Sequence, residues 1–227
     1  MSDDGLSDKR LTKRAQRTEN TRRRILDASI RLFMEQGYEK TTTRQILNEV
    51  GILNGSLYNI YKSKEDIFSD IIISALDEAI RHATDSLPEG TPTRMRLAYI
   101  FHIQIYFAAR SQRIAELLTI AHEKWGIHKR VVDSLTDWIR RTDTEGEMYT
   151  DAYDFPLKLD ACAAVTESFI ERMSREPGTV RDKDAMILVS NVVQDLFGQP
   201  REGTEAVIDE LIESLEAREF VIFDVRI

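Results

Sequence analysis

Apolar residues recur at intervals of three and four along nearly the whole chain after residue 20, and this spacing constrains the fold more than any other feature. It is the period of one helix face, whereas a half-buried strand alternates apolar and polar residues. Strand-like runs are absent until residues 220–227, which are apolar and β-prone. The 10 glycines and 5 prolines fall mostly between the periodic stretches. The sequence therefore predicts an all-α protein.

Composition sets the compartment that we expect. The 227 residues, 42% of them hydrophobic, are enough to bury a sizeable core in one domain or two. Cys162 is the single cysteine, which excludes an intrachain disulfide and a cysteine-rich zinc site. We find no apolar run of bilayer length, and residues 1–8 have no signal-peptide core. We expect a cytoplasmic protein with no membrane partner.

Charge is distributed unevenly along the chain. The net charge is −8, but residues 1–64 hold 13 Lys/Arg and 8 Asp/Glu, a balance of +5. Residues 65–227 hold the remaining 18 basic and 31 acidic residues, a balance of −13. A basic segment of this kind can attract a polyanion such as nucleic acid. The alternative is a solvated tail, and charge alone does not choose between the two.

Two short helices are predicted after a longer first helix in the sequence. Thr42 and Gln45 have the spacing of a capping box, which opens the second helix, and Gly51 ends that helix. Asn54 is the predicted N-cap of a third helix over about residues 55–61. Two short helices joined by a glycine-containing turn form a helix-turn-helix.

The third helix has two different faces. Leu57 and Tyr61, four residues apart, are predicted to point inward. Ser56, Tyr58 and Asn59 point outward, and they are small or flat hydrogen-bonding groups suited to base edges and phosphates. An ordinary helical hairpin with polar outer residues would show the same pattern.

Landmark residues of this region share the order and spacing of a known family. They are Ile25-Leu26-Asp27-Ala28, Leu32-Phe33, Gly37-Tyr38, Thr41-Thr42, Ile46, Val50-Gly51, Gly55-Ser56-Leu57-Tyr58, Tyr61 and Ser63-Lys64-Glu65. Through them, residues 20–68 resemble the DNA-binding domain of the TetR family of transcriptional regulators. The resemblance implies a homodimer on a near-palindromic operator in double-stranded DNA, with half-sites about 34–36 Å apart. It also implies a ligand-responsive regulator, by family default a repressor, whose small-molecule effector releases the DNA.

The resemblance divides the chain into three parts. Residues 1–19 are expected to form a flexible basic arm, residues 20–66 the helix-turn-helix domain, and residues 67–227 a larger helical ligand-binding and dimerisation domain. The expected DNA-binding residues are Thr42, Thr43, Arg44, Asn54, Gly55, Ser56, Tyr58, Asn59, Lys62 and Lys64.

Roles within this set follow from the resemblance. Ser56 and Asn59 are expected to contact bases, and Tyr58 and Lys64 to contact phosphates together with the start of the second helix. The chain departs from the family pattern at two positions. Leu53 replaces a polar cap, and Ile60 replaces a polar residue and so removes one possible phosphate contact.

A helix predicted from Thr93 to Arg110 is apolar on nearly all sides and is therefore central. Its few polar side chains either bond within the core or line a cavity for a ligand, and the pattern leaves both readings open. The resemblance to ligand sensors supplies the candidate effector-binding residues, which are Tyr99, His102, Ile103, Tyr106, Trp125 and Trp138.

Two further segments carry continuous apolar stripes, one from Pro156 to Arg175 and one from Lys183 to Phe197. The resemblance implies that these helices pair with those of a second copy in a four-helix bundle, so we expect a homodimer. The alternative is that they only complete the core of one chain.

Other functional classes find little support in the sequence. We find no phosphate-binding loop, nucleophile elbow or metal-ligand cluster, and we expect neither catalysis nor a cofactor. His122 and His128 are predicted to lie on different faces of a helix, which argues against a metal site. The remaining alternative is a helical small-molecule-binding or interaction protein without DNA function, and salt-dependent DNA binding would separate the two.

Overall fold

The computed structural model of the protein describes residues 4–143, 146, 148, 153–198, 204–217, 221–222 and 225–226. Across these ranges the regular secondary structure is helical apart from a pair of two-residue strands, so the predicted all-α class is confirmed. The helices are α1 Asp4–Gln36, α2 Thr43–Val50, α3 Asn54–Tyr58, α4 Lys64–Ser86, α5 Thr93–Arg110, α6 Gln112–Glu123, α7 Trp125–Thr142, α8 Asp154–Arg175, α9 Asp182–Leu196 and α10 Thr204–Ala217. The paired strands are β1 Val221–Ile222 and β2 Val225–Arg226, within the segment predicted to be β-prone.

The first helix is longer than the sequence suggested. It begins at Asp4, whereas the apolar pattern predicted a start at about Asn20. Residues 4–19, expected to belong to a flexible arm, therefore continue α1 as helix. The predicted end of the helix is confirmed, since Gly37 follows Gln36 with a φ of +89°.

The chain forms two compact units that divide between Ile71 and Ile72, compared with the boundary expected after residue 66. The core of the N-terminal unit contains an aromatic cluster of Phe33, Tyr38 and Phe68. The ring centroids of its three pairs lie 4.7 to 5.6 Å apart, and all three side chains are buried. Such pairs add to the free energy gained from apolar burial alone.

The core of the C-terminal unit is built around α5. This helix packs against α6, α8, α9 and α10, and ten of its residues are buried. The prediction of a central helix is confirmed, because apolar residues on every side of a helix require neighbours on every side. Neither α5 nor any other helix in the described ranges is long and apolar enough to cross a membrane.

Candidate nucleic-acid interface and ligand cavity

The predicted capping box at the start of α2 is present. The Gln45 backbone N–H donates to Thr42 Oγ1 at 3.3 Å, and the Thr42 backbone N–H donates to Gln45 Oε1 at 2.8 Å. Two otherwise unpaired donors at the helix start are thereby satisfied. The cap fixes the first turn of α2, where the Arg44 side chain is exposed and Thr43 is half-buried.

The turn between α2 and α3 depends on a left-handed glycine. Gly51 has a φ of +71°, and its N–H donates to the Leu47 carbonyl at 2.9 Å. A residue with a Cβ would be strained at this φ, so glycine ends α2 at low cost.

Asn54 is not the N-cap of α3, and this prediction is wrong. The helix starts one residue earlier than expected, so Asn54 is its first residue and Leu53 holds the cap position. Leu53 has no side-chain acceptor, and its backbone carbonyl accepts from the Ser56 N–H at 2.9 Å instead. Its side chain is 82% exposed, which is unusual for a leucine.

Helix α3 ends at Tyr58, whereas the sequence predicted a helix to about residue 61, so Asn59 and Tyr61 follow the helix. The predicted division into inward and outward side chains is nevertheless found. Leu57 and Tyr61 are buried, whereas Ser56, Tyr58 and Asn59 are exposed. Most of the expected DNA-binding residues are exposed on α2, α3 and the residues after α3, namely Thr42, Arg44, Asn54, Gly55, Ser56, Tyr58, Asn59 and Lys62. This surface, which we call the α3 face, offers hydroxyls, amides and two cations to a partner.

Lys64 has contacts inside the N-terminal unit. Its Nζ donates to the carbonyls of Tyr38 and Thr41 at 2.7 and 2.9 Å, and lies 4.0 Å from the centre of the Tyr38 ring. The start of α4 is thereby attached to the loop that precedes α2. The phosphate contact expected of Lys64 would compete with these two carbonyls.

An ion-pair network that the sequence analysis missed holds the helix-turn-helix on its support. Arg22 of α1 donates to Asp70 of α4 at 2.9 Å, and the Tyr61 hydroxyl donates to the same carboxylate at 2.9 Å. The hydrogen bond to Asp70 raises the pKa of Arg22, and burial, followed by the charge of Asp70, raises the pKa of Tyr61. Tyr61 therefore remains a hydrogen-bond donor at neutral pH.

Arg24, which belongs to the basic segment of residues 1–64, also stabilises the fold. Arg24 donates to the Val50 carbonyl at the end of α2, where a cation also interacts favourably with the helix dipole. Together with Arg22, it shows that these two basic residues of α1 are engaged inside the N-terminal unit. A clue lay in the sequence, since both arginines lie within three residues of Ile25, where the apolar residues of α1 start.

The C-terminal unit contains a cavity of about 120 Å³ between α4, α5, α6, α7 and α8. Of the 20 residues that line it, 17 are apolar, and the polar ones are Gln104, His122 and His128. Ile103 belongs to the expected effector-binding set and lines this cavity. An apolar pocket with a few polar groups is the usual form of a small-molecule site.

Two other residues of the expected effector-binding set bond within the core. The Tyr99 hydroxyl lies 3.1 Å from Nδ1 of His82. His102 Nε2 lies 3.0 Å from the Met186 carbonyl and 2.8 Å from Ser190 Oγ. Neither Tyr99 nor His102 lines the cavity described above.

The last three residues of that set are dispersed. Tyr106 is buried with the Arg110 guanidinium 3.5 Å from its ring centre. Trp125 is 70% exposed and stacks on His128. Trp138 lines a different cavity of about 550 Å³ beside the 87–93 loop. The structure therefore does not bring the six expected residues together.

Because His102 is buried, we expect the stability of the protein to depend on pH. Burial lowers its pKa from 6.5 to about 3, so the folded state keeps it neutral while the unfolded state binds a proton below pH 6.5. Stability is thus complete above about pH 6.5 and falls as the pH falls towards 3. By linkage, the titration of His102 alone should lower the free energy of unfolding by about 2 kcal/mol between about pH 7.5 and pH 5.

Urea unfolding at the two pH values measures this loss, and His102→Gln is the comparison because glutamine can still donate to the Met186 carbonyl. Subtracting the loss of stability of the variant from that of the wild type removes the contribution of His122, whose pKa is also lowered. An equal loss of stability in the wild type and the variant would show that His102 is not the titrating group.

His122 and His128 are closer together than the sequence predicted. They lie on separate helices, α6 and α7, because the chain turns at Lys124, and their ring centroids are 6.3 Å apart. The prediction of different faces of one helix is therefore wrong. His128 Nε2 lies 3.0 Å from Asp160 Oδ1. Among the described residues, however, no group of three His, Cys, Asp or Glu is arranged to hold a metal ion.

The N-terminal unit is similar to a known family of bacterial proteins. Residues 25–71 match the model described as bacterial regulatory proteins, tetR family. Over 76 residues the chain is 36% identical to the HTH-type transcriptional repressor KstR2 of Rhodococcus jostii, which covers 34% of this chain and 37% of that protein. Over 182 residues it is 27% identical to the HTH-type transcriptional repressor AcnR of Corynebacterium glutamicum, which covers 73% of this chain and 95% of that protein.

The fold extends the similarity beyond the N-terminal unit. A TetR-family transcriptional regulator from Syntrophomonas wolfei superposes with a TM-score of 0.58 at 17% identity, covering 79% of this chain and 96% of that one. At this identity the match shows a shared fold. The chain spans 37%, 52% and 66% of the length of three curated relatives that it matches.

Proposed function

We propose that this chain is a TetR-family transcriptional regulator that binds operator DNA as a homodimer and responds to a small molecule, because residues 25–71 match the tetR-family model. The observation that carries the proposal is the α3 face, on which Ser56, Tyr58 and Asn59 are exposed above a buried Leu57 and Tyr61. A short helix with outward amide and hydroxyl groups suits the major groove. Repression is the direction that the names of relatives such as KstR2 and AcnR support.

Exposed apolar side chains on α8 and α9 support the homodimer. Leu157 is 51% exposed and Leu188 is 52% exposed, and both lie in the segments expected to pair with a second copy. Burying two such side chains per chain stabilises association. A dimer also doubles the contacts available to one operator, which a single helix-turn-helix needs for specific affinity.

Helix α4 supports a link between effector and DNA. Its first turns carry Lys64 and Asp70, which hold the helix-turn-helix, and its later residues Ile72, Leu76 and Ala79 line the cavity. Suppose that α4 has two positions and that DNA and ligand each prefer one of them. The ligand can then change the DNA affinity by at most the ratio of its own affinities for the two positions.

A mobility-shift titration tests the proposal, with purified protein and duplex DNA from around its own gene at low and moderate salt. We expect a discrete complex that resists competitor DNA and weakens as the salt concentration rises, because phosphate contacts release counterions. Binding that competitor DNA removes entirely at both salt concentrations would contradict a sequence-specific regulator.

Substituting Asn59 with alanine is expected to relax base preference without abolishing binding. An exposed amide can form a bidentate contact with adenine, and losing it costs about 1–3 kcal/mol at one operator position. Affinities for operator duplexes changed one base pair at a time measure the effect. Gln112→Ala, which removes an exposed amide from the C-terminal unit, is the matched control. A uniform loss across all duplexes would contradict a base-reading role for Asn59.

A further inference from the structure

Among the residues that the structure describes, none in the walls of the C-terminal unit's cavity carries a Lys, Arg, Asp or Glu side chain, and histidine is the one ionisable residue type there. A carboxylate or ammonium group buried there would lack an opposite charge, and an uncompensated buried charge is strongly disfavoured. The walls therefore select against a charged ligand.

Two polar side chains in these walls have no internal hydrogen-bond partner. Gln104 of α5 and His122 of α6 line the cavity, are half-buried, and make no hydrogen bond within the part of the chain that the structure describes. A few polar groups in an otherwise apolar pocket fix the orientation of a bound ligand. Both groups can donate one hydrogen bond and accept another, so they can pair with a hydroxyl or a carbonyl.

The third polar group of the cavity is already engaged. His128 lies 3.0 Å from Asp160 and stacks on Trp125, so any positive charge on it is balanced by the carboxylate. Burial, followed by the neighbouring His128, lowers the pKa of His122 to about 4, and its imidazole is therefore neutral at pH 7. A neutral imidazole offers an anionic ligand a hydrogen bond but no counter-charge.

We propose that this cavity takes an uncharged, mainly apolar molecule about the size of a benzene ring, with one hydroxyl or carbonyl group that bonds to Gln104 and His122. The size follows from the volume of about 120 Å³, since an apolar protein cavity of about 150 Å³ holds benzene. The assignment of this ligand as the effector rests on the proposed regulatory function. The ligand class itself rests on the cavity alone.

Four probes that share one ring test the ligand class on the full-length chain: benzyl alcohol, benzoate, benzylammonium and toluene. Calorimetric titration and ligand-observed NMR give their affinities at pH 7. We expect benzyl alcohol to bind most tightly. The affinity of each charged probe should be lower by about ten-fold or by a larger factor. Gln104→Leu and His122→Leu should each lower the affinity for benzyl alcohol about three- to ten-fold. The affinity for toluene should stay the same or increase.

Control variants separate this result from a general loss of fold. Gln112→Leu makes the same change at an exposed position that does not line the cavity and should leave all affinities unchanged. Ala75→Phe places a ring on a cavity-lining position of α4 and should block benzyl alcohol and toluene alike. Circular dichroism verifies that each variant is folded.

The proposal is overturned if a charged probe binds as tightly as benzyl alcohol, if no probe binds, or if both leucine variants bind benzyl alcohol like the wild type. DNA affinity measured without ligand keeps the two proposals distinct. Specific DNA binding without any probe binding would reject the ligand class alone. Probe binding as expected without specific DNA binding would reject the regulatory function and leave the ligand class standing.

Discussion

Replacing both Arg44 and Lys62 with alanine is expected to weaken binding to every DNA sequence by about 10³-fold at about 0.15 M salt. Both side chains are exposed on the α3 face, and the proposed DNA complex would bring their charges near phosphates. The proposed dimer would lose four phosphate contacts, two from each chain, and each contact contributes about 0.9 to the slope of log affinity against log salt. The slope should therefore become less steep by about 3.6, while the order of preference among operator variants is unchanged.

The matched control removes the same two charges elsewhere. Arg31 of α1 and Lys129 of α7 are exposed and outside the α3 face, and their joint replacement by alanine should leave the salt slope nearly unchanged. Fluorescence anisotropy with labelled duplexes over a range of salt concentrations gives both slopes. Equal slopes for the two double variants would mean that the α3 face does not meet the DNA backbone.

Phe68→Ala should have the largest effect on stability. Phe68 is 1% exposed and contacts Phe33 and Tyr38 in the aromatic cluster of the N-terminal unit. Replacing a fully buried phenylalanine with alanine costs about 3–5 kcal/mol, because it loses apolar burial and leaves a void. This is a large fraction of the stability of a small unit, so DNA binding should be lost with it.

Hydrogen exchange measured by mass spectrometry locates the damage. We expect amides of α1, α2 and α3 to lose protection in Phe68→Ala, while those of α5, α8 and α9 keep it. Phe68→Leu, which retains most of the apolar volume, should show a clearly smaller effect. Unchanged protection in α1–α3 of the alanine variant would show that the aromatic cluster does not hold this unit together.

Features set by local rules were predicted best. Thr42 and Gln45 form the predicted capping box, α2 runs from Thr43 to Val50 as expected, and Gly51 ends it. In each case the determining interaction spans four residues or fewer, so the sequence contains all of it. The buried and exposed faces of α3 follow from helical spacing for the same reason.

Features set by distant partners were not predictable. The ion pair of Arg22 had no local signal, because its partner Asp70 lies 48 residues away. The start of α3 also escaped the local rule, because the Leu53 carbonyl takes the first hydrogen bond without help from a side-chain cap.

The ligand cavity was the hardest feature to locate. Helix α5 is apolar all round, so periodicity cannot say which side faces a cavity and which faces α9. Tyr99 and His102 were natural choices by chemistry, yet both bond within the core. His122 and Gln104 acquire their significance only once α5, α6 and α7 are placed beside one another.

The most direct test of the DNA-binding account is selection of bound duplexes from a random-sequence pool by the purified wild-type chain. The account predicts enrichment of an inverted repeat whose half-site centres are about one helical turn apart. The Arg44→Ala/Lys62→Ala variant should enrich nothing under the same conditions. A folded wild-type chain that enriches no motif, or a motif without twofold symmetry, would contradict the account.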